Sequence, residues 1–162
     1  MTSNTMRRLL EVASISALVV TGFVTLIALY GTNAVPDAEP MNNPFSSHPR
    51  DWGTRARLLQ IPAVQLILYA FGASLSRYSG VLNFPVPETA ENRVRLQVLT
   101  NSMIYWLKAE VLILFACVQV VEVQLARGSR SSFPALPFQG FTLVIFTTAL
   151  VHYVAMRRQA PR

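Results

Sequence analysis

The sequence predicts an all-α integral membrane protein with four transmembrane helices in an antiparallel bundle. Of the 162 residues, 52% are hydrophobic and 14% are charged, whereas soluble domains carry ~25% charged residues. Four apolar stretches divide the chain, at residues 9–30, 58–76, 103–123 and 138–156. At ~1.5 Å per helical residue, each stretch is long enough to cross a hydrocarbon core of ~30 Å.

The four stretches are bounded in ways that suit helices. Arg7 and Arg8 precede the first stretch as in a secretory signal, but the stretch exceeds the ~7–15 apolar residues of a signal, which favours a retained helix. Of ten prolines only Pro62 lies within a stretch, so loops are expected at residues 31–57 and 77–102. The third helix should begin before its stretch, because Pro87 and the acidic residues after it suit a helix N-terminus.

The arginines favour one orientation in the membrane. With a cytoplasmic N-terminus, eight arginines lie on the cytoplasmic side and five on the other. The positive-inside bias therefore predicts that both termini and the loop 77–102 are cytoplasmic and that the loop 31–57 is outside. Because these charges lie beside the ends of the stretches and not in a patch with exposed aromatic residues, nucleic-acid binding is not expected.

The link between the second and third stretches carries a distinctive element, Asn-x-Pro-x-Pro-x-Thr-x-x-Asn. Its residues are Asn83, Pro85, Pro87, Thr89 and Asn92, and Tyr105-Trp106-Leu107-Lys108 and Phe115 follow in the third stretch. Over about residues 50–127, the chain resembles a family of small bacterial multi-pass membrane proteins classed as a domain of unknown function. That family shares its membrane layout with Sdp-type immunity proteins, which protect a producing cell from its own peptide toxin.

The resemblance implies the four-helix topology and a place in the bacterial cytoplasmic membrane. The first loop departs from the family pattern, because residues 40–45 lack the histidine found there in the family and only residues 48–53 keep the later part. Within that later part, Asp51, Trp52 and Gly53 are the candidate partner-facing residues.

Each stretch carries one polar stripe at three-four spacing. Polar side chains avoid lipid, so the stripes predict which helix faces meet inside the bundle. Their polar or small members are Glu11, Ser14, Thr21 and Thr25, then Pro62, Gln65, Tyr69, Gly72 and Ser76, then Asn101, Lys108, Gln119 and Glu122, and finally Thr148 and His152.

Two groups of ionisable residues are candidate sites. Glu11, Lys108 and His152 lie toward the cytoplasmic end, either as a proton- or ligand-handling site or, the favoured interpretation, as an ion pair and a capped histidine that fix helix register. Glu122 lies toward the other end, where Arg55 or Arg57 can reach it as a structural tie. Glu110 is about 200° around the helix from Lys108, and we expect it to extend toward the interface.

No motif for catalysis or cofactor binding is present in the sequence. It lacks a Gly-rich phosphate loop and a His-x-x-x-His pair, and His48 and His152 lie on different elements. We therefore expect no enzymatic activity, metal or cofactor. The function expected is immunity- or sensor-like binding of a protein or peptide, with an accessory subunit of a larger membrane complex as the alternative and a small transporter as a further one. The expected partners are the lipid bilayer and either such a partner or a second copy.

Overall fold

Four α-helices make up most of the computed structural model, which describes residues 3–31, 39–40, 52–53, 55–78, 84–127 and 135–160. The helices are α1 (Ser3–Tyr30), α2 (Gln60–Arg77), α3 (Arg93–Ala126) and α4 (Ala135–Arg157). A 3-10 helix, Arg55–Leu59, leads into α2. The two-residue strands β1 (Glu39–Pro40) and β2 (Trp52–Gly53) pair antiparallel. The predicted all-α fold with four membrane helices is confirmed, since each helix is long and apolar enough to cross a membrane.

The helices extend beyond the apolar stretches that predicted them. α3 begins ten residues before residue 103 and has 34 residues, which gives a length of about 51 Å. The prediction that the third helix begins before its apolar stretch is confirmed, and the last ten residues of the loop 77–102 belong to α3. An α-helix needs only its own backbone hydrogen bonds, so α3 continues where its side chains turn polar.

The helices are arranged around α3, which packs against each of the other three. Both the start of α1 and the end of α4 meet the first half of α3, where Leu10 contacts Tyr105 and Met156 contacts Leu96. The chain termini thus lie at one end of the bundle, here termed the terminal end. At the opposite end, termed the loop end, Ala28 packs with Leu58 and Val123.

α4 differs from α1 and α2 in its packing. Its main neighbour is α3, whereas α1 and α2 also contact each other. Met156 is its one buried residue among those whose side chains the structure describes, and Leu143, Phe146 and Leu150 are each more than 60% exposed. In water such an apolar surface would drive association, but against lipid chains it is the favourable surface of a membrane helix.

Candidate functional site

An ion pair joins α1 to α3 near the terminal end. Lys108 Nζ donates a hydrogen bond to Glu11 Oε2. The Lys108 side chain is 2% exposed and that of Glu11 is 33% exposed. The ammonium also lies over the rings of Tyr69 and Tyr105, with its nitrogen 4.8 and 5.0 Å from the ring centroids. The buried ammonium thus contacts a carboxylate and two aromatic faces, and it joins three helices; removing one partner of the ion pair would leave the other charge without compensation.

Gly72 makes room for this tie on α2. A Cβ atom at this position would lie 2.9 Å from Lys108 Cδ and 3.1 Å from Cγ. The lysine stem therefore fits against the α2 backbone only because Gly72 lacks a side chain. The polar stripe of α2 contained this glycine, but its spacing could not indicate that a lysine stem lies against it.

His152 lies on a different side of α3 from the ion pair. Its Nδ1 is 2.9 Å from the carbonyl oxygen of Thr148, and its Nε2 is 3.3 Å from Ser102 Oγ. Ser102 precedes Lys108 by six residues, which places it about 120° around α3. The structure thus brings Glu11 and Lys108 together and places His152 in the α3–α4 contact.

Glu110 is buried against α4, so the expectation that it extends toward the interface is wrong. It is 8% exposed, and its Oε1 accepts a hydrogen bond of 2.6 Å from Thr148 Oγ1. Glu110 does lie on the other side of α3 from Lys108, as predicted, but α4 and not lipid lies against that side of the helix. α3 consequently holds one buried charge toward α1 and α2 and another toward α4.

Gln119 links three elements near the loop end. Its Nε2 donates to Thr25 Oγ1 at 2.8 Å and to the carbonyl oxygen of Leu58 at 3.1 Å. The second bond compensates for a feature of the sequence. Pro62 has no N–H, so the Leu58 carbonyl cannot accept an α-helical hydrogen bond from the residue four positions later. Gln119 supplies a donor instead, and the α-helix begins at Gln60.

A second glutamine makes a similar bond between α2 and α3. Gln65 is fully buried, and its Nε2 donates to the carbonyl oxygen of Leu112 at 2.7 Å. Both glutamines were members of the predicted stripes, and both are buried as the spacing predicted. Their acceptors are backbone carbonyls, which spacing alone does not reveal.

The predicted tie of Glu122 to Arg55 or Arg57 stays a prediction. Glu122 is partly buried, and Arg57 lies close enough for its charge to attract the carboxylate. The side chain of Arg55 falls outside the described residues, as does Asp51. Trp52 and Gly53 are described through their backbone, where they pair with Pro40 and Glu39.

The link element forms a reciprocal pair of hydrogen bonds in the turn that leads into α3. The Thr89 N–H donates to Asn92 Oδ1 at 2.8 Å, and the Asn92 N–H donates to Thr89 Oγ1 at 3.3 Å. This is the arrangement of a capping box, with asparagine in the place of glutamate. The Asn92 amide also donates to the carbonyl oxygens of Pro87 and Gln159, at 3.0 and 3.2 Å. It thereby clamps the end of α4 to the link.

Three of the predicted link residues, Pro87, Thr89 and Asn92, thus take part in hydrogen bonds next to α3. Val86, beside Pro85, packs with Leu96 and Met156 under this turn. Asn83 lies outside the described residues.

An apolar groove runs between α1 and α3 on the surface. Its volume is about 390 Å³. It is lined by small and aliphatic residues of both helices: Ala13, Ser16, Ala17, Val20, Ile113, Ala116, Cys117 and Val120. Small residues at such a surface let another helix approach closely in a membrane.

Neither metal-binding geometry nor similarity to known proteins assigns an activity to these features. Among the described residues, no three His, Cys, Asp or Glu side chains are grouped as metal ligands. Comparisons with protein-family models, curated proteins and solved structures find no match for this chain.

Proposed function

We propose that this chain is a non-enzymatic protein of the bacterial cytoplasmic membrane that binds a peptide or protein at its outer loop, as immunity and sensor proteins do. The observation that carries the proposal is the pairing of Glu39 with Gly53 and of Pro40 with Trp52. This pairing fixes the backbone of the candidate residue Trp52 against that of Pro40. A binding segment whose backbone is already constrained loses less conformational entropy when a partner binds.

The ionisable residues within the spans support a binding role over a catalytic one. Lys108 is engaged by Glu11, Glu110 by Thr148, and His152 by Ser102. Each contact joins two helices, so these groups stabilise the bundle on which the loop is mounted.

Photo-crosslinking in living cells tests the proposal. A photoreactive amino acid replaces Trp52 in one full-length variant and Phe146, which is 70% exposed on α4, in the control. We expect a discrete protein or peptide adduct at position 52 that is absent at position 146. The absence of any adduct at position 52 would contradict the proposal, and an adduct of twice the chain mass would identify a second copy as the partner.

The proposed orientation places both termini in the cytoplasm. Its support is the position of both termini at one end of the bundle, together with the excess of arginines there. A reporter enzyme fused after Arg162 should be active only in the cytoplasm. Activity of that fusion only on the outside would contradict the orientation.

The groove between α1 and α3 favours a second candidate function, an accessory subunit that packs against a transmembrane helix of a larger complex. Ser16 and Cys117 are exposed residues of the groove, so leucine at either position fills it without disturbing the helix contact beneath. The second candidate predicts that Ser16→Leu and Cys117→Leu release a stoichiometric partner in mild detergent, whereas Val144→Leu on α4 does not. If Trp52→Ala releases the partner and the groove variants do not, the outer loop is favoured as the binding site.

A further inference from the structure

Five buried side-chain oxygen atoms have no hydrogen-bond partner among the described residues. Two of them, Asn101 Oδ1 and Glu110 Oε2, lie between positions 101 and 110 of α3, and the other three lie farther toward the loop end. These three are Thr21 Oγ1, Gln65 Oε1 and Gln119 Oε1. Thr21 is 1% exposed and both glutamines are fully buried. Buried polar atoms in folded proteins nearly always have a partner, either in the protein or in bound water.

Hydrogen bonds place these three residues along the contacts of α3 with α1 and α2. Gln65 bonds to the backbone of α3 at Leu112, and Gln119 follows seven residues later, about 10 Å along the helix axis. Gln119 bonds to Thr25. Thr25 in turn donates its hydroxyl proton to the carbonyl oxygen of Thr21, one turn earlier on the same face of α1.

Exchanging the oxygen and nitrogen atoms of either glutamine does not remove the problem. The Gln65 nitrogen donates to the Leu112 carbonyl, and the Gln119 nitrogen donates to the Leu58 carbonyl. An oxygen in either place would face another oxygen, so the hydrogen bonds assign both amides. The free atom of each glutamine is therefore an acceptor that requires a donor from elsewhere.

We propose that the core binds water molecules at Thr21, Gln65 and Gln119. Water can donate two hydrogen bonds and accept others, so it suits two amide oxygens and a hydroxyl. Lipid chains offer no hydrogen-bond donor, and the hydrocarbon around the bundle keeps bulk water away from these side chains. The bound water forms a hydrated section of the interior between the Glu11–Lys108 ion pair and the loop end.

The direction in which Thr21→Val changes the melting temperature tests the proposal. Thr21→Val keeps the shape of the side chain and removes a hydroxyl oxygen that bonds to no described residue. A dry core predicts an unchanged or higher melting temperature, because an unsatisfied buried group disappears. Bound water predicts a melting temperature lower by about 2–6 °C. Thr21→Ser, which keeps the hydroxyl, separates the loss of the oxygen from any loss of packing.

Thr147→Val is the matched control on α4, because Thr147 is exposed and its hydroxyl bonds to Leu143 of its own helix. It should change the melting temperature less than Thr21→Val. An unchanged or raised melting temperature for Thr21→Val would overturn the proposal.

A second measurement uses the unaltered protein and decides the matter even if Thr21→Val does not fold. Solid-state NMR in bilayers can transfer magnetisation from water to the side-chain amide protons of Gln65 and Gln119. We expect rapid transfer to both, comparable with transfer to exposed amides at the ends of the helices. Transfer as slow as that to the amides of surrounding apolar core residues would overturn the proposal.

Discussion

Replacing Gln119 with leucine should destabilise the bundle by breaking a contact between three elements. Gln119 is fully buried and its amide nitrogen joins α1 to the start of α2. Leucine has a similar volume, so the helices can still pack, but both hydrogen bonds are lost. The Leu58 carbonyl is then left without a donor in the interior, because Pro62 cannot supply one.

The expected magnitude follows from those contacts. Two hydrogen bonds contribute about 1 kcal/mol each, and an unsatisfied buried carbonyl costs about 1–3 kcal/mol. Hydrogen bonds between membrane helices average only about 0.6 kcal/mol in mutant cycles, which lowers this total. We therefore expect the free energy of unfolding to fall by about 2–4 kcal/mol.

A double-mutant cycle isolates the share of this loss that comes from the unsatisfied Leu58 carbonyl. Pro62→Ala restores an N–H four residues after Leu58, so the carbonyl can accept an ordinary helical hydrogen bond. In that background Gln119→Leu should cost about 1–2 kcal/mol less than in the unaltered chain, since it leaves no orphan acceptor.

SDS titration of the protein in mixed micelles, followed by circular dichroism, measures these free energies. Gln124→Leu is the control, because Gln124 is exposed on the same helix and should change stability little. Strictly additive effects of Gln119→Leu and Pro62→Ala would refute the assignment of Gln119 as the donor that Pro62 makes necessary.

Three further predictions concern the terminal end. Lys108→Met deprives the Glu11 carboxylate of its partner, so the folded yield in detergent should fall several-fold, and adding Glu11→Gln should recover part of that yield. Equal yields for the unaltered protein, the single variant and the double variant would argue against the ion pair as a tie. Gly72→Ala should destabilise the protein by about 1–3 kcal/mol in the same SDS titration, because the new methyl group overpacks the contact with Lys108. Gly140→Ala, with no atom within 4 Å of the new Cβ, should be neutral. A larger effect at Gly140 than at Gly72 would contradict the close approach of Lys108 to α2. Asn92→Ala should accelerate amide hydrogen exchange both at the start of α3 and at the end of α4, and unchanged exchange in α4 would show that the clamp is not needed there.

The buried faces of the helices could be predicted from sequence because two simple constraints act on them. An α-helix repeats every ~3.6 residues, and lipid excludes polar side chains. Ser14, Gln65 and Gln119 lie on the predicted stripes, and each is fully buried. The pairing of Glu11 with Lys108 was within reach of the same argument, because both lie toward the same end of parallel helices.

The partners of those faces could not be predicted in the same way. Periodicity gives the direction of Glu110 around α3, but whether that direction meets lipid or α4 depends on where the neighbouring helix lies. The role of the Leu58 carbonyl was hinted at by Pro62, yet the donor comes from a residue far along the chain.

The sequence by itself determined that this protein has four membrane-spanning helices, which of their faces are polar, and that α3 begins before its apolar stretch. Each of these properties depends on residues close together in the chain. Only the tertiary structure decided that α3 is the central helix, that α4 packs chiefly on it, and that Glu110 is buried. Those properties depend on the angles at which the helices pack around one another, which are set by the sum of many weak contacts between distant segments.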